Sequence, residues 1–65
     1  MKPELNPKSL QLTAEEWFNL GYDKWQSGDK QGAIADYNQA AQLYSQQNNM
    51  EWYLKALENI KKLEK

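Results

Sequence analysis

The segment Thr13-Ala14-Glu15-Glu16-Trp17-Phe18-Asn19-Leu20-Gly21-Tyr22-Asp23-Lys24-Trp25-Gln26-Ser27-Gly28-Asp29 decides the fold. Thr13 followed three residues later by Glu16 is a capping-box pattern. The threonine hydroxyl accepts from a free helix N–H, and the glutamate reaches back to the threonine amide. Glu15 and Glu16 also suit the positive end of a helix dipole. A helix is therefore expected over about residues 14–27. Ser27-Gly28 stops it, because glycine takes the left-handed conformation of a C-terminal cap without steric cost. On a 3.6-residue wheel Ala14, Trp17, Phe18, Gly21, Tyr22 and Trp25 share one broad face. Glycine inside a helix costs up to about 1 kcal/mol relative to alanine. Gly21, placed amid the aromatics, thus predicts close approach by a second helix.

Working outward, Asp29 is the N-cap of a second helix over about residues 30–47. Its face is Ala33, Tyr37, Ala40 and Tyr44, flanked by Ile34 and Ala41. Small residues alternate with tyrosines there, a pattern that interlocks with the aromatics of the first helix. The short connection between the two makes them antiparallel. Asn48 or Asn49 caps a third helix over about residues 50–64. Met50, Tyr53, Leu54, Leu57 and Ile60 form its expected apolar face, with Ala56 and Leu63 to one side. Glu51–Lys55 and Glu58–Lys62 are acid-before-base pairs four apart, each worth a few tenths of a kcal/mol. No segment reads as a strand. Residues 1–12 hold both prolines, Pro3 and Pro7, and are expected as an extended leader to a single domain over 13–65. The fold class is all-α: an antiparallel helix-turn-helix hairpin plus a third, C-terminal helix.

Composition narrows the function. Sixty-five residues allow one small domain. The chain has no cysteine and no histidine, so disulfides and Cys/His zinc sites are excluded as staples. Eight lysines, no arginine and nine acidic residues give a net charge of −1, which argues against a nucleic-acid binder. No apolar run approaches the roughly 20 residues of a membrane span. The first residues carry no apolar stretch of the signal-peptide kind. The expectation is a cytoplasmic protein. Met1 and the proline-containing leader favour a complete small protein over an excerpt from a longer array. Eight aromatics supply large buried areas from a short chain.

The chain also repeats itself. Glu16-Trp17-Phe18 recurs 35 residues later as Glu51-Trp52-Tyr53, and a small residue follows each, Gly21 and Ala56. Trp17-Phe18-Asn19-Leu20-Gly21 fits the W-x2-L-G of the tetratricopeptide repeat, and Gly28-Asp29 sits at that family's inter-helix turn. Ala33, Tyr37 and Ala40 fit its alanine, aromatic and small positions. Residues 14–47 therefore resemble one tetratricopeptide repeat, and the third helix resembles the family's capping helix. Lys24 stands where the family has tyrosine, Ser45 where it has proline, and Lys55-Ala56 where Leu-Gly would recur.

The resemblance implies protein or peptide binding through the first-helix face, with Glu15, Phe18, Asn19, Tyr22 and Trp25 as contact residues. Phe18, Tyr22 and Trp25 lie at i, i+4 and i+7 and form one stripe. The same side chains suit a core: Phe18 and Trp25 read as core first and contact second, Tyr22 as either. Some relatives grip a C-terminal carboxylate with lysines and asparagines. Asn19 fits one such position, but Glu15 and Phe18 replace the lysines, so a carboxylate clamp is not expected. The alternative is a self-associating structural module, a homodimer formed by helix stacking through Trp52, Leu54 and Leu63. No enzyme, cofactor or metal is expected. Glu16 is explained by the cap and Glu15 by the dipole, and Ser9, Ser27 and Ser45 have no base beside them. Gly28-Asp29-Lys30-Gln31-Gly32 lacks the G-K-[ST] ending of a phosphate loop, and Asp23, Asp29 and Asp36 do not make a calcium loop.

Overall fold

A computed structural model describes residues 12–65, so the expected leader lies outside the described residues except for Leu12. Three helices follow in order: α1 (Ala14–Gln26), α2 (Lys30–Gln46) and α3 (Met50–Glu64). No strand occurs among the described residues. The chain is all-α, and the spans match expectation to within a residue at each end.

Local chemistry sets each boundary. At the start of α1 the capping box is complete. The Thr13 N–H donates to Glu16 Oε1 at 2.9 Å, and the Glu16 N–H donates to Thr13 Oγ1 at 3.1 Å. The two inter-helix loops, Ser27-Gly28-Asp29 and Gln47-Asn48-Asn49, have one geometry. In each, the middle residue turns left-handed: Gly28 at φ 91° and Asn48 at φ 59°. The Gly28 N–H reaches Trp25 O at 3.1 Å and the Asp29 N–H reaches Lys24 O at 2.8 Å. The second loop repeats this with Asn48 to Ser45 O at 3.0 Å and Asn49 to Tyr44 O at 2.9 Å. These paired bonds satisfy carbonyls that a helix end leaves open. The last loop residue then caps the next helix. Asp29 Oδ1 accepts from the Gly32 N–H at 2.9 Å, and Asn49 Oδ1 accepts from the Trp52 N–H at a longer 3.5 Å. Of the two asparagines, Asn49 is the cap and Asn48 supplies the turn.

The helix α2 lies between the other two, with α1 and α3 each packed along it. Its buried set is Ala33, Asp36, Tyr37, Ala40, Ala41 and Tyr44. Small residues let the helices approach, and the tyrosines fill the space between them. Tyr37 is fully buried, and its ring fills a groove opened by Gly21 of α1. A Cβ on residue 21 would stand 3.0–3.1 Å from that ring. From α3, Leu63 closes the same cluster, with Trp25, Ile34 and Ile60 half-buried around it. Ala14, Ala40 and Tyr44 form a second cluster with Trp17, Phe18, Leu43 and Tyr53 packed on it. Burying one such side chain stabilises by about 1.5–3 kcal/mol, so these few contacts outweigh any surface pair.

Two expectations need correction. The buried line of α3 runs through Ala56 and Leu63, with Tyr53 and Ile60 beside it, while Met50 and Leu54 are 50% and 57% exposed. The wheel placed them together, but α2 covers only one edge of that face. Leu63, expected on an outer contact strip, is instead 3% exposed and packs on Ala33 and Tyr37. Asp36 is a buried charge: it is 5% exposed, and Lys24 Nζ pairs with its carboxylate at 2.9 Å. Lys24 stands where the resemblance has tyrosine, and a charge pair takes up the position.

Gly21→Ala tests the close approach. Alanine's helix propensity gains up to about 1 kcal/mol, but its Cβ would stand 3.0–3.1 Å from the fully buried Tyr37 ring, and such overpacking costs about 1–3 kcal/mol. A net loss of about 1 kcal/mol in urea unfolding is expected; an unchanged or raised midpoint shows that the ring can yield. Gly28→Ala, at a left-handed φ, loses about 1 kcal/mol for a different reason.

Candidate functional site

Helix spacing brings Glu15, Phe18 and Asn19, at i, i+3 and i+4, to one side of α1. Tyr44 rises from the last turns of α2, and Trp52 stands in the first turn of α3, three residues after its cap. These five side chains line one open cleft of about 320 Å³ between α1 and α3. Trp52, from the second copy of the 35-residue repeat, faces Phe18 of the first helix. Phe18 sits at the centre. Its ring meets Trp52 edge-on at 5.5 Å and 89°, and meets Tyr44 at 6.4 Å and 65°. Tyr44 and Trp52 lie 6.1 Å apart, tilted by 30°. On its other side Phe18 meets Tyr37 at 5.1 Å and 72°, which ties the cleft floor to the core.

Exposure separates the roles. Tyr44 is buried, Phe18 half-buried, Trp52 38% exposed, and Glu15 and Asn19 are on the surface. Glu16 is spent on the cap, whereas Glu15 takes no part in it. The Tyr44 hydroxyl is pushed up from its ordinary value, first by burial and then by the charge of Glu15. Lys55 lays its ammonium 4.8 Å from the centre of the Trp52 ring, a cation–π contact.

Three of the five expected contact residues, Glu15, Phe18 and Asn19, thus share one cleft. Tyr22 and Trp25 continue the stripe along α1 outside it. Tyr22 is 50% exposed and meets Trp25 edge-on at 6.4 Å, and Trp25 is half-buried against the Tyr37 cluster. Of the self-association residues, Trp52 belongs to the cleft, Leu54 is exposed on the far side of α3, and Leu63 is core. Tyr44 was read only as core. Its position one α2 turn from the loop, under the first turn of α3, was the signal that it also forms a floor. A recess of about 400 Å³ between α2 and α3 is lined by Asn38, Ala41, Gln42, Ser45, Gln46, Tyr53 and Leu57. It holds amides and no convergent charge.

Among the described residues no group of three or more histidines, cysteines, aspartates or glutamates is placed to hold a metal ion, and no helix is long and apolar enough to cross a membrane. No family model, no curated protein and no solved structure matches the chain.

The tyrosines make stability depend on alkaline pH. The Tyr37 hydroxyl is raised above 10.0, first by burial; Asn59 opposes the rise and Tyr22 adds to it. It reaches toward Asn59 without a hydrogen bond of good geometry. A folded-state pKa raised above the unfolded value gives stability that is present below the unfolded pKa and lost as pH rises through the folded one. The urea midpoint should hold to about pH 9 and fall above about pH 10. Tyr37→Phe removes a buried, unpaired hydroxyl. It should therefore be at least as stable at neutral pH and lose less on the alkaline side. An equal alkaline loss in the variant shows that Tyr37 is not the group responsible and leaves Tyr44, whose hydroxyl is also raised.

Proposed function

We propose that this protein is a small, non-catalytic interaction module that binds a peptide or protein segment in the cleft between α1 and α3. One observation carries the reading: Glu15, Phe18 and Asn19, singled out as contact residues, converge with Tyr44 and Trp52 on one open, aromatic-floored surface. Aromatic side chains held by a rigid core contribute large contact area at little entropic cost, which is why they recur in binding hot spots. The likeness of α1 and α2 to one tetratricopeptide repeat, with α3 as its cap, supports the same assignment, and a cytoplasmic setting goes with it. The five cleft residues offer no nucleophile–base pair, and so recommend binding over catalysis.

A second reading rests on Met50 and Leu54. They are 50% and 57% exposed on the side of α3 turned away from α2, and a second copy stacked there would cover them. Sedimentation equilibrium separates the readings. A 7.7 kDa species at all concentrations supports the peptide module, and a species of twice that mass supports the homodimer.

Panning a displayed random-peptide library on the full chain tests the cleft. Selected peptides should bind the wild type and lose tenfold or more on Asn19→Trp, which plugs the cleft from an exposed position without touching the core. Peptides that bind this variant equally well place the site elsewhere.

A further inference from the structure

We infer that the cleft selects a partner segment by a basic side chain, a lysine or arginine seated between the Glu15 carboxylate and the aromatic rings of Phe18 and Trp52. The inference rests on the cleft being a peptide site and adds the chemistry of its ligand.

Two features of the cleft point to a cation. Its lining holds one charged group, Glu15, and that group is negative. The other four lining residues are three aromatics and an amide. Ring faces carry negative potential and attract an ammonium or guanidinium, the more so when a carboxylate stands nearby. The molecule already shows this chemistry on one of the rings: Lys55 places its ammonium 4.8 Å from the Trp52 ring centre, yet Lys55 does not line the cleft.

Glu15 is available for the role. In the first turn of α1 the capping duty falls to Glu16, whose carboxylate accepts from the Thr13 N–H. The carboxylate of Glu15 is felt by the buried Tyr44 hydroxyl on the cleft floor, so its charge reaches into the cleft and not only outward to solvent. The cleft is too open to exclude water, so a lysine seated there keeps part of its hydration while its alkyl stem lies along Phe18 and Trp52. An acidic segment would meet the Glu15 carboxylate, which repels it. Asn19 donates or accepts at the rim and can hold a peptide group beside the basic residue.

The test uses the full chain, isotope-labelled, and two capped heptapeptides alike except at the centre. One carries lysine and the other norleucine, its uncharged near-isostere. The lysine peptide should shift the amide signals of Glu15 and Asn19 and the indole signal of Trp52, and bind about three- to fivefold tighter than the norleucine peptide. Glu15→Gln should weaken the lysine peptide toward the norleucine value, with the ring contribution remaining, and leave the norleucine peptide unchanged. Equal binding of the two peptides at these signals overturns the inference and leaves the peptide-binding reading standing. Silence of the cleft toward both overturns the inference too. If library-selected peptides also avoid the cleft, the peptide reading falls with it.

Discussion

The structure depends on one contact, the Tyr37 ring seated against Gly21. Tyr37 is the large side chain that α2 buries completely, and α1 can approach it only because residue 21 has no Cβ. From that seat the ring touches Phe18 of α1 and shares a cluster with Leu63 of α3, so one side chain joins all three helices. The arrangement carries a cost. The Tyr37 hydroxyl is buried without a well-formed partner, a defect worth about 1–3 kcal/mol. Burial of the ring returns a similar amount, so the tyrosine's value lies as much in fixing where the helices meet as in net stability.

Around that seat, the turns keep the helices in register. Two loops of one geometry, twenty residues apart, set α1 against α2 and α2 against α3. Glycine takes the left-handed position in the first. Asparagine takes it in the second, as the residue that tolerates that conformation best after glycine. With both connections only three residues long, neither helix can drift far along α2. The buried Asp36 and its Lys24 partner add a charged link between α1 and α2. Lys24 is 42% exposed at its side chain, so the pair is partly wet and contributes less than a buried one would.

The cleft is a consequence of this packing. Phe18 contacts Tyr37 on one side and Tyr44 and Trp52 on the other, which makes it both core and cleft wall. The first-helix aromatics therefore differ in how far the core takes them up. Phe18 is shared, Trp25 leans into the core, and Tyr22 stays half exposed. A surface whose rings are held from behind by the core is preorganised, so the segment we propose to bind there would have little ordering left to do.

How much was legible follows from the range of the forces involved. Helix starts and stops depend on neighbours within four residues, so Thr13, Glu16, Gly28 and Asp29 announced themselves, the third cap was narrowed to Asn48 or Asn49, and the three spans were read to within a residue. Gly21 foretold a close helix because its cost inside a helix needs a packing reason. Glu15, Phe18 and Asn19 were candidates by the family resemblance, and helix spacing keeps them on one side of α1 wherever that helix goes. A wheel, however, ranks residues by direction around one axis and says nothing of how wide the covering neighbour is. The tertiary structure alone decided that α2 covers Ala56 and Leu63 but not Met50 or Leu54. It alone turned Trp52 toward Phe18, buried Asp36 against Lys24, and made Tyr44 the floor of a cleft. Those outcomes depend on the angle and depth at which α3 meets the α1–α2 pair. That geometry is set by side chains distant in sequence, Tyr37, Phe18 and Leu63, and not by any local pattern.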